Sequence, residues 1–354
     1  MGREGAGVTA VANRAELNQL LAKAHEQHRG GNLAAAEKAY GEILRREPRH
    51  AKALHLLAVL ALQTGRPEAA AELLDRAARI EPEDGEIQRN LARALTRAGR
   101  SEEAAAALER AAALSPADAL LRLELGNAYV KSGKSPEAIA AYQHAIDIDG
   151  TLAEAHLNLG VALRGEGRDA EAATSMRRAI ELRPGYGEAH YNLGNALQAA
   201  SDLTGAIAAF RQAVTLEPKL AAAHFNLGIA LLKTGAAPDA AAAFREALRL
   251  HPDFAEAEFN LGNALLEQGD AAAAAASFER ALSLKPGWVA ASCNLGIARQ
   301  RQGRLDSARA AYAAALAADP TCFPRIVNSL TADATGELWL DFEALRRSLT
   351  GEAG

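Results

Sequence analysis

Asn158, Asn192, Asn226, Asn260 and Asn294 follow one another at one constant interval, and Asn90 is an isolated earlier member of the same series. A carboxamide carries both a donor and an acceptor, so a row of them suits the N–H and C=O groups of an extended peptide whatever its side chains. Asn127, Asn195 and Asn263 form a second series at twice that interval, and Tyr191, Phe225 and Phe259 precede three of the ladder asparagines as apolar contacts. The competing reading is a row of solvated asparagines, because exposed polar residues need no function.

A second chemistry lies upstream. Arg89, Arg93 and Arg97 are spaced by four on one predicted helix and make a basic stripe, accompanied by His25, His28, Arg29, Lys52 and His55. Such a stripe suits an acidic peptide; the alternative is a solvated face paired with Glu86 and neighbouring acids, where ion pairs are weak.

The remaining reactive residue types do not assemble into catalysis. His25 and His28 are three apart, with no third ligand in the motif. His156, His190 and His224 recur at the same interval as the ladder, but helices packed about 8–10 Å apart hold their side chains beyond the reach of zinc–nitrogen bonds of about 2 Å. They are read as packing residues. Gly165-Glu166-Gly167 completes no dinucleotide fingerprint, and Cys293 and Cys322 form no Cys-x-x-Cys motif, so they are read as reduced thiols. No catalytic residue, metal or cofactor is assigned, and the chain is read as not an enzyme.

The elements that must position these residues are legible from proline alone. Pro48, Pro82, Pro116, Pro184, Pro218, Pro252, Pro286 and Pro320 stand on one regular ladder whose missing rung is Gly150, another helix breaker. Nine units of equal length follow: 17–50, 51–84, 85–118, 119–152, 153–186, 187–220, 221–254, 255–288 and 289–322. The eighth position is Ala24, Ala58 and Ala92, then Gly126, Gly160, Gly194, Gly228, Gly262 and Gly296. The twentieth is always alanine, and the twenty-fourth is the large filler: Tyr40, Leu74, Leu108, Tyr142, Met176, Phe210, Phe244, Phe278 and Tyr312. Small residues let helix axes approach, and the filler fixes their register. Between the two helices of each unit stands glycine, replaced once, by Ser201.

This pattern resembles the tetratricopeptide repeat over residues 17–322. The resemblance implies an all-α, right-handed superhelical solenoid of nine helix-turn-helix repeats, in which positions 2, 5, 6, 9, 12 and 13 of each unit line a concave groove. Segments such as Ala155 to Gly160 are similar to the repeats of O-linked N-acetylglucosamine transferases, whose asparagine ladder holds substrate peptides. Asparagine at this position is also usual in the repeat consensus, and only the short stretch 323–354 follows the ninth unit, too little for a catalytic α/β domain. Some domains of this family clamp a partner's C-terminal carboxylate with Lys, Arg and Asn; Arg89, Arg93 and Asn90 match that pattern in part.

Residues 1–16 are read as a polar lead-in, 323–330 as a capping helix with Phe323, Ile326, Val327 and Leu330 on one face, and 331–354 as a tail. In the tail, Asp341 is placed to cap a short helix, and Trp339, Leu340, Phe342, Leu345 and Leu349 are expected to pack back onto the cap.

Composition agrees with an array of close-packed helices. Of 354 residues 87 are alanine, many at the small packing positions, and aromatics make up only 5%, about one filler per unit. The net charge of −5 lies in residues 119–354, with 22 basic against 27 acidic side chains, while residues 1–118 balance at 17 and 17. That balance argues against nucleic-acid or acidic-membrane binding. No signal peptide or spanning segment is read, so a cytoplasmic location is expected. The functional expectation is a non-catalytic scaffold that holds an extended peptide or unstructured protein segment in its groove. Two other readings stay open: an adaptor or targeting subunit for a separate glycosyltransferase-like enzyme, and self-association through repeat edges or the tail.

Overall fold

The computed structural model describes residues 3–332 and 342–350, and every regular element among them is helical. The helices gather into two compact units, Met1–Leu182 and Arg183–Gly354. The first holds α1 (Arg3–Arg29), α2 (Leu33–Arg46), α3 (Ala51–Gln63), α4 (Pro67–Ile80), α5 (Gly85–Arg97), α6 (Ser101–Leu114), α7 (Ala119–Lys131), α8 (Ser135–Ile148), α9 (Ala153–Gly165) and α10 (Asp169–Leu182). The second holds α11 (Gly187–Ala199), α12 (Leu203–Leu216), α13 (Ala221–Lys233), α14 (Ala237–Leu250), α15 (Ala255–Glu267), α16 (Ala271–Leu284), α17 (Val289–Arg301) and α18 (Leu305–Ala318). One turn of 3-10 helix, Pro320–Cys322, then leads into α19 (Phe323–Ala332) and α20 (Phe342–Thr350).

Within each unit consecutive helices pack on one another, as in a tetratricopeptide solenoid. Among the repeat helices α1 to α18, the closest second-neighbour approaches are between odd-numbered helices, such as α3 with α5, α7 with α9 and α13 with α15. The first helix of each pair therefore stands in the inner, more tightly spaced row, which is where the ladder residues are carried.

The turns show why the pairs form. Gly65, Gly99 and Gly235 close theirs with φ of 74°, 76° and 78°, a conformation in which a side chain is strained. Ser201 takes the same conformation at φ 64°, and its turn still closes through the Asp202 N–H bond to the Leu197 carbonyl. Ser201→Gly is therefore expected to stabilise the fold by about 0.5–1 kcal/mol, read as a higher urea midpoint. An unchanged or lower midpoint would count against strain at this turn.

The twenty-fourth position fills the gap between paired helices. Tyr40, Tyr142, Phe210, Phe244, Phe278 and Tyr312 are all buried, and each of the last five lies against a glycine of the preceding helix. A Cβ at Gly228 would stand 2.6 Å from Phe244 Cε1, closer than two carbons pack. Knob and hole are thus complementary in the last six units, where glycine replaces the alanine of the first three.

The recurring histidines hold turns. His156 Nε2 bonds the Gly150 carbonyl at 3.2 Å, and His190 and His224 bond those of Pro184 and Pro218, each at 3.1 Å. An imidazole N–H thus satisfies a backbone acceptor that the helix cannot. One unit further on, Glu258 has no donor to offer; it is buried and takes Arg280 Nε at 2.8 Å instead. Burial pushes its carboxyl above the ordinary glutamate range, opposed by Arg280. A raised value means that the folded chain binds this proton more tightly than the unfolded one. The linked stability is present below the ordinary glutamate pKa and is lost as pH rises through the folded value. Glu258→Gln is expected to escape that loss, matching wild type near pH 4 and exceeding it by about pH 7 in urea denaturation.

The two ends differ in how the chain is finished. Residues 3–16, read as a lead-in, continue α1 upstream: they contain no proline, and extending a packed helix adds one bond per residue fixed. At the other end Ile326 of α19 and Leu349 of α20 are buried with Cys293, Tyr312 and Leu316, and α20 packs on α18. Trp339, Leu340 and Asp341 lie outside the described residues, as do the side chains of Leu330, Phe342 and Leu345. Cys293 and Cys322 are free and buried, and burial pushes the Cys293 thiol up to about 11, away from reactive thiolate.

Candidate peptide-binding groove

The asparagine ladder is not a row of equivalents. Asn158 Nδ2 donates to Asn127 Oδ1 at 2.9 Å, Asn226 to Asn195 at 2.8 Å and Asn294 to Asn263 at 2.7 Å, each reaching back to the neighbouring inner helix. Asn192 and Asn260 instead donate to carbonyls of their own helices, Glu188 at 2.9 Å and Glu256 at 2.7 Å. For Asn260 the reason is in the sequence: the place one helix back that Asn127, Asn195 and Asn263 fill for the others belongs to Ile229, which accepts nothing.

A carboxamide pair joined by one bond keeps polar capacity for a ligand. In the Asn195–Asn226 pair, Asn226 donates its second N–H to the Tyr191 hydroxyl at 3.4 Å and retains its Oδ1, while Asn195 retains both amide hydrogens. In the Asn127–Asn158 pair the Tyr142 hydroxyl also donates to Asn127 Oδ1 at 2.7 Å, so that oxygen is held by two donors. Burial pushes the Tyr142 hydroxyl well above its usual range, so it stays a donor at any physiological pH. The third pair is closed from within: Arg325 of α19 donates to Asn294 Oδ1 at 2.9 Å, and Asn294 is buried. Asn90 is buried too, bonded to His55 Nε2 at 2.8 Å, and burial lowers the pKa of that imidazole.

The aromatic residues before the ladder are half-buried inside their own repeats. The Phe225 ring lies 5.8 Å from Phe244 and 4.6 Å from Phe254, and Phe259 lies 5.8 Å from Phe278 and 4.6 Å from Trp288. Tyr191 lies 6.1 Å from Phe210 and reaches the ladder only by its hydroxyl. Two contacts of this kind use much of each ring for packing.

The basic stripe divides. Arg89 makes a two-pronged pair with Glu124, at 3.0 and 2.6 Å, and stands 3.6 Å from Asp118; the Glu124 bond holds its pKa above the usual arginine value. Arg93 and Arg97 remain on the surface of α5, where with Lys131 and Asn127 of α7 they line a cavity of about 290 Å³. Sequence reasoning missed Lys131, although it occupies the same thirteenth position as Arg97 one unit later. It also missed Leu120 and Val130 of α7 and Val161 of α9, large apolar side chains that are 51%, 50% and 37% exposed. These occupy the second, twelfth and ninth positions, the set assigned to the groove.

Helix pairs closed by a glycine turn, repeated at a strict interval behind a polar inner row, define a helical-repeat scaffold of the kind that presents a surface to protein partners. Sequence profiles described as tetratricopeptide repeat match residues 21–85, 77–119, 191–253 and 237–289, and also 153–186 and 265–332; one described as TPR repeat matches 126–167. The chain belongs to the tetratricopeptide-repeat family.

Among solved structures, the C-terminal part of a TPR repeat-containing protein from Cytophaga hutchinsonii has a TM-score of 0.57 at 18% identity, over 67% of this chain and 98% of that one. YrrB, described as a TPR protein with an unusual peptide-binding site, has a TM-score of 0.49 at 22% identity, over 53% and 96%. MamA has a TM-score of 0.45 at 26% identity, over 47% and 91%. Compared with curated proteins, the chain matches none. The likeness is to tetratricopeptide-repeat proteins at large, without a feature particular to the O-linked N-acetylglucosamine transferases. Among the described residues no helix is long and apolar enough to cross a membrane.

Proposed function

We propose that this chain is a non-catalytic interaction scaffold whose inner helices hold an extended segment of a partner protein. The observation that supports this reading is the pairing of asparagines across neighbouring inner helices. Each of the pairs Asn127–Asn158 and Asn195–Asn226 is oriented by internal bonds, to each other and to a tyrosine hydroxyl, and keeps donors and an acceptor for a peptide main chain. Orientation before binding lowers the entropy lost on association, which solvated single asparagines do not offer. Nothing in the geometry favours a glycosyltransferase over another partner, so the partner is specified by its chemistry: an extended main chain with exposed amides.

The test is recovery of partners from a lysate by the wild-type chain and by Asn158→Ala/Asn226→Ala, followed by binding of the recovered segments as synthetic peptides. The expected result is loss of the peptide-mediated partners from the variant. Equal recovery and equal peptide affinity would remove the groove mechanism.

A further inference from the structure

The cavity between α5 and α7 carries a charge imbalance that several ion-paired arginines of the molecule do not share. Arg66, Arg100, Arg168 and Arg249 each meet a carboxylate at 2.6–2.8 Å. Among the described residues no ion pair involves Arg93, Arg97 or Lys131. Arg93 is steered by Asn90 Oδ1 at 3.4 Å and Arg97 by the Leu62 carbonyl at 3.1 Å, both neutral acceptors that fix direction and leave the charge uncompensated. Glu124, the one carboxylate lining the cavity, is bound by two nitrogens of Arg89. Counting Arg89 and its second partner Asp118 as well, the group holds a net two positive charges.

We infer that this cavity is an anion-binding subsite that takes an acidic or phosphorylated side chain of the segment held along the inner face, an inference that rests on the peptide-binding reading of that face. Two guanidiniums and an ammonium converge on about 290 Å³, enough for a carboxylate or phosphate group and its bonds. Continuity ties the cavity to the ladder: Asn127 lines it and is also the acceptor of the Asn127–Asn158 pair, so anion and main chain are addressed side by side. Val130, next in sequence to Lys131, and Val161 add exposed aliphatic surface to the same inner row. The fitting segment therefore carries an acidic group with aliphatic neighbours.

Two measurements on the full chain test this. In the first, inorganic phosphate is titrated while the arginine Nε–Hε signals are followed by NMR. Saturable shifts are expected for Arg93 and Arg97 and not for Arg89, with affinity falling at least about fivefold in Lys131→Gln. Arg79→Gln, the same charge change on α4 at a residue paired with Asp75, is expected to leave it unaltered. Absence of a saturable shift, or equal loss in both variants, overturns the subsite.

In the second, acetylated and amidated decapeptide pools with one Glu, one phosphoserine or one Gln are compared by fluorescence anisotropy, beside a Gln pool with a free C-terminal carboxylate. The Glu and phosphoserine pools are expected to bind about tenfold more tightly than amidated Gln, an advantage lost in Lys131→Gln. A gain confined to the free carboxylate overturns the side-chain assignment. Equal Glu and Gln affinities that still depend on Asn158 overturn the subsite and leave the peptide groove standing. Phosphate shifts without binding of any pool remove the groove instead.

Discussion

Phe244→Ala is expected to cost about 3–5 kcal/mol of stability, the largest single loss among the substitutions considered. The ring is fully buried between α13 and α14, lies against Gly228 and supports Phe225 from one side. Removing it takes away its transfer free energy and leaves a cavity that a backbone held by turns at both ends closes only in part. Because each repeat contacts only its neighbours, hydrogen-exchange protection is expected to fall first in α13 and α14.

The complement is Gly228→Val, whose Cβ would stand 2.6 Å from Phe244 and is expected to cost about 1–3 kcal/mol by overpacking. In the Phe244→Ala background the same valine enters the vacated space, so the double variant is expected to be less unstable than the two losses added. Urea denaturation of the four species measures that coupling. Strict additivity would show that ring and glycine are not a matched pair.

The second large effect concerns binding. Asn158→Ala/Asn226→Ala is expected to weaken a groove-bound peptide by about 10–100-fold, from two or more hydrogen bonds worth about 0.5–1.5 kcal/mol each. Asn192→Ala/Asn260→Ala removes the same number of carboxamides, yet these donate to the Glu188 and Glu256 carbonyls of their own helices, so their loss releases no neighbouring carboxamide. Their loss is expected to cost no more than about fivefold. Titration by anisotropy with one labelled peptide compares the two variants directly, and thermal unfolding checks that both remain folded. Equal losses would mean that the ladder acts asparagine by asparagine, and the pairing would then have no bearing on recognition.

Much of this architecture was legible because its constraints repeat. A glycine that must take positive φ, an alanine or glycine that must face an aromatic filler, and a proline or Gly150 that must end a helix recur at fixed places from unit to unit. That Arg89 differs from Arg93 and Arg97 was not legible, because Glu124, which pairs with Arg89, stands on another helix, about one repeat further along the chain. Reading Tyr191, Phe225 and Phe259 as apolar contacts beside the ladder did not include Phe254 and Trp288, the closing residues of two repeats, whose rings lie against Phe225 and Phe259. Lys131 was overlooked because its partners are defined by a cavity rather than by a run of sequence.

By itself, then, the amino-acid sequence determined the repeat, its turns, the alternation of small and large packing residues and the positions of the carboxamides. All of these follow from local conformational preference and a strict period. Only the tertiary structure decided which carboxamides pair, that Arg325 closes the last pair, and which basic side chains stay without a carboxylate. The physical reason is that a hydrogen bond or ion pair between inner helices depends on what stands about one repeat away, across a gap that exists only once the helices stack.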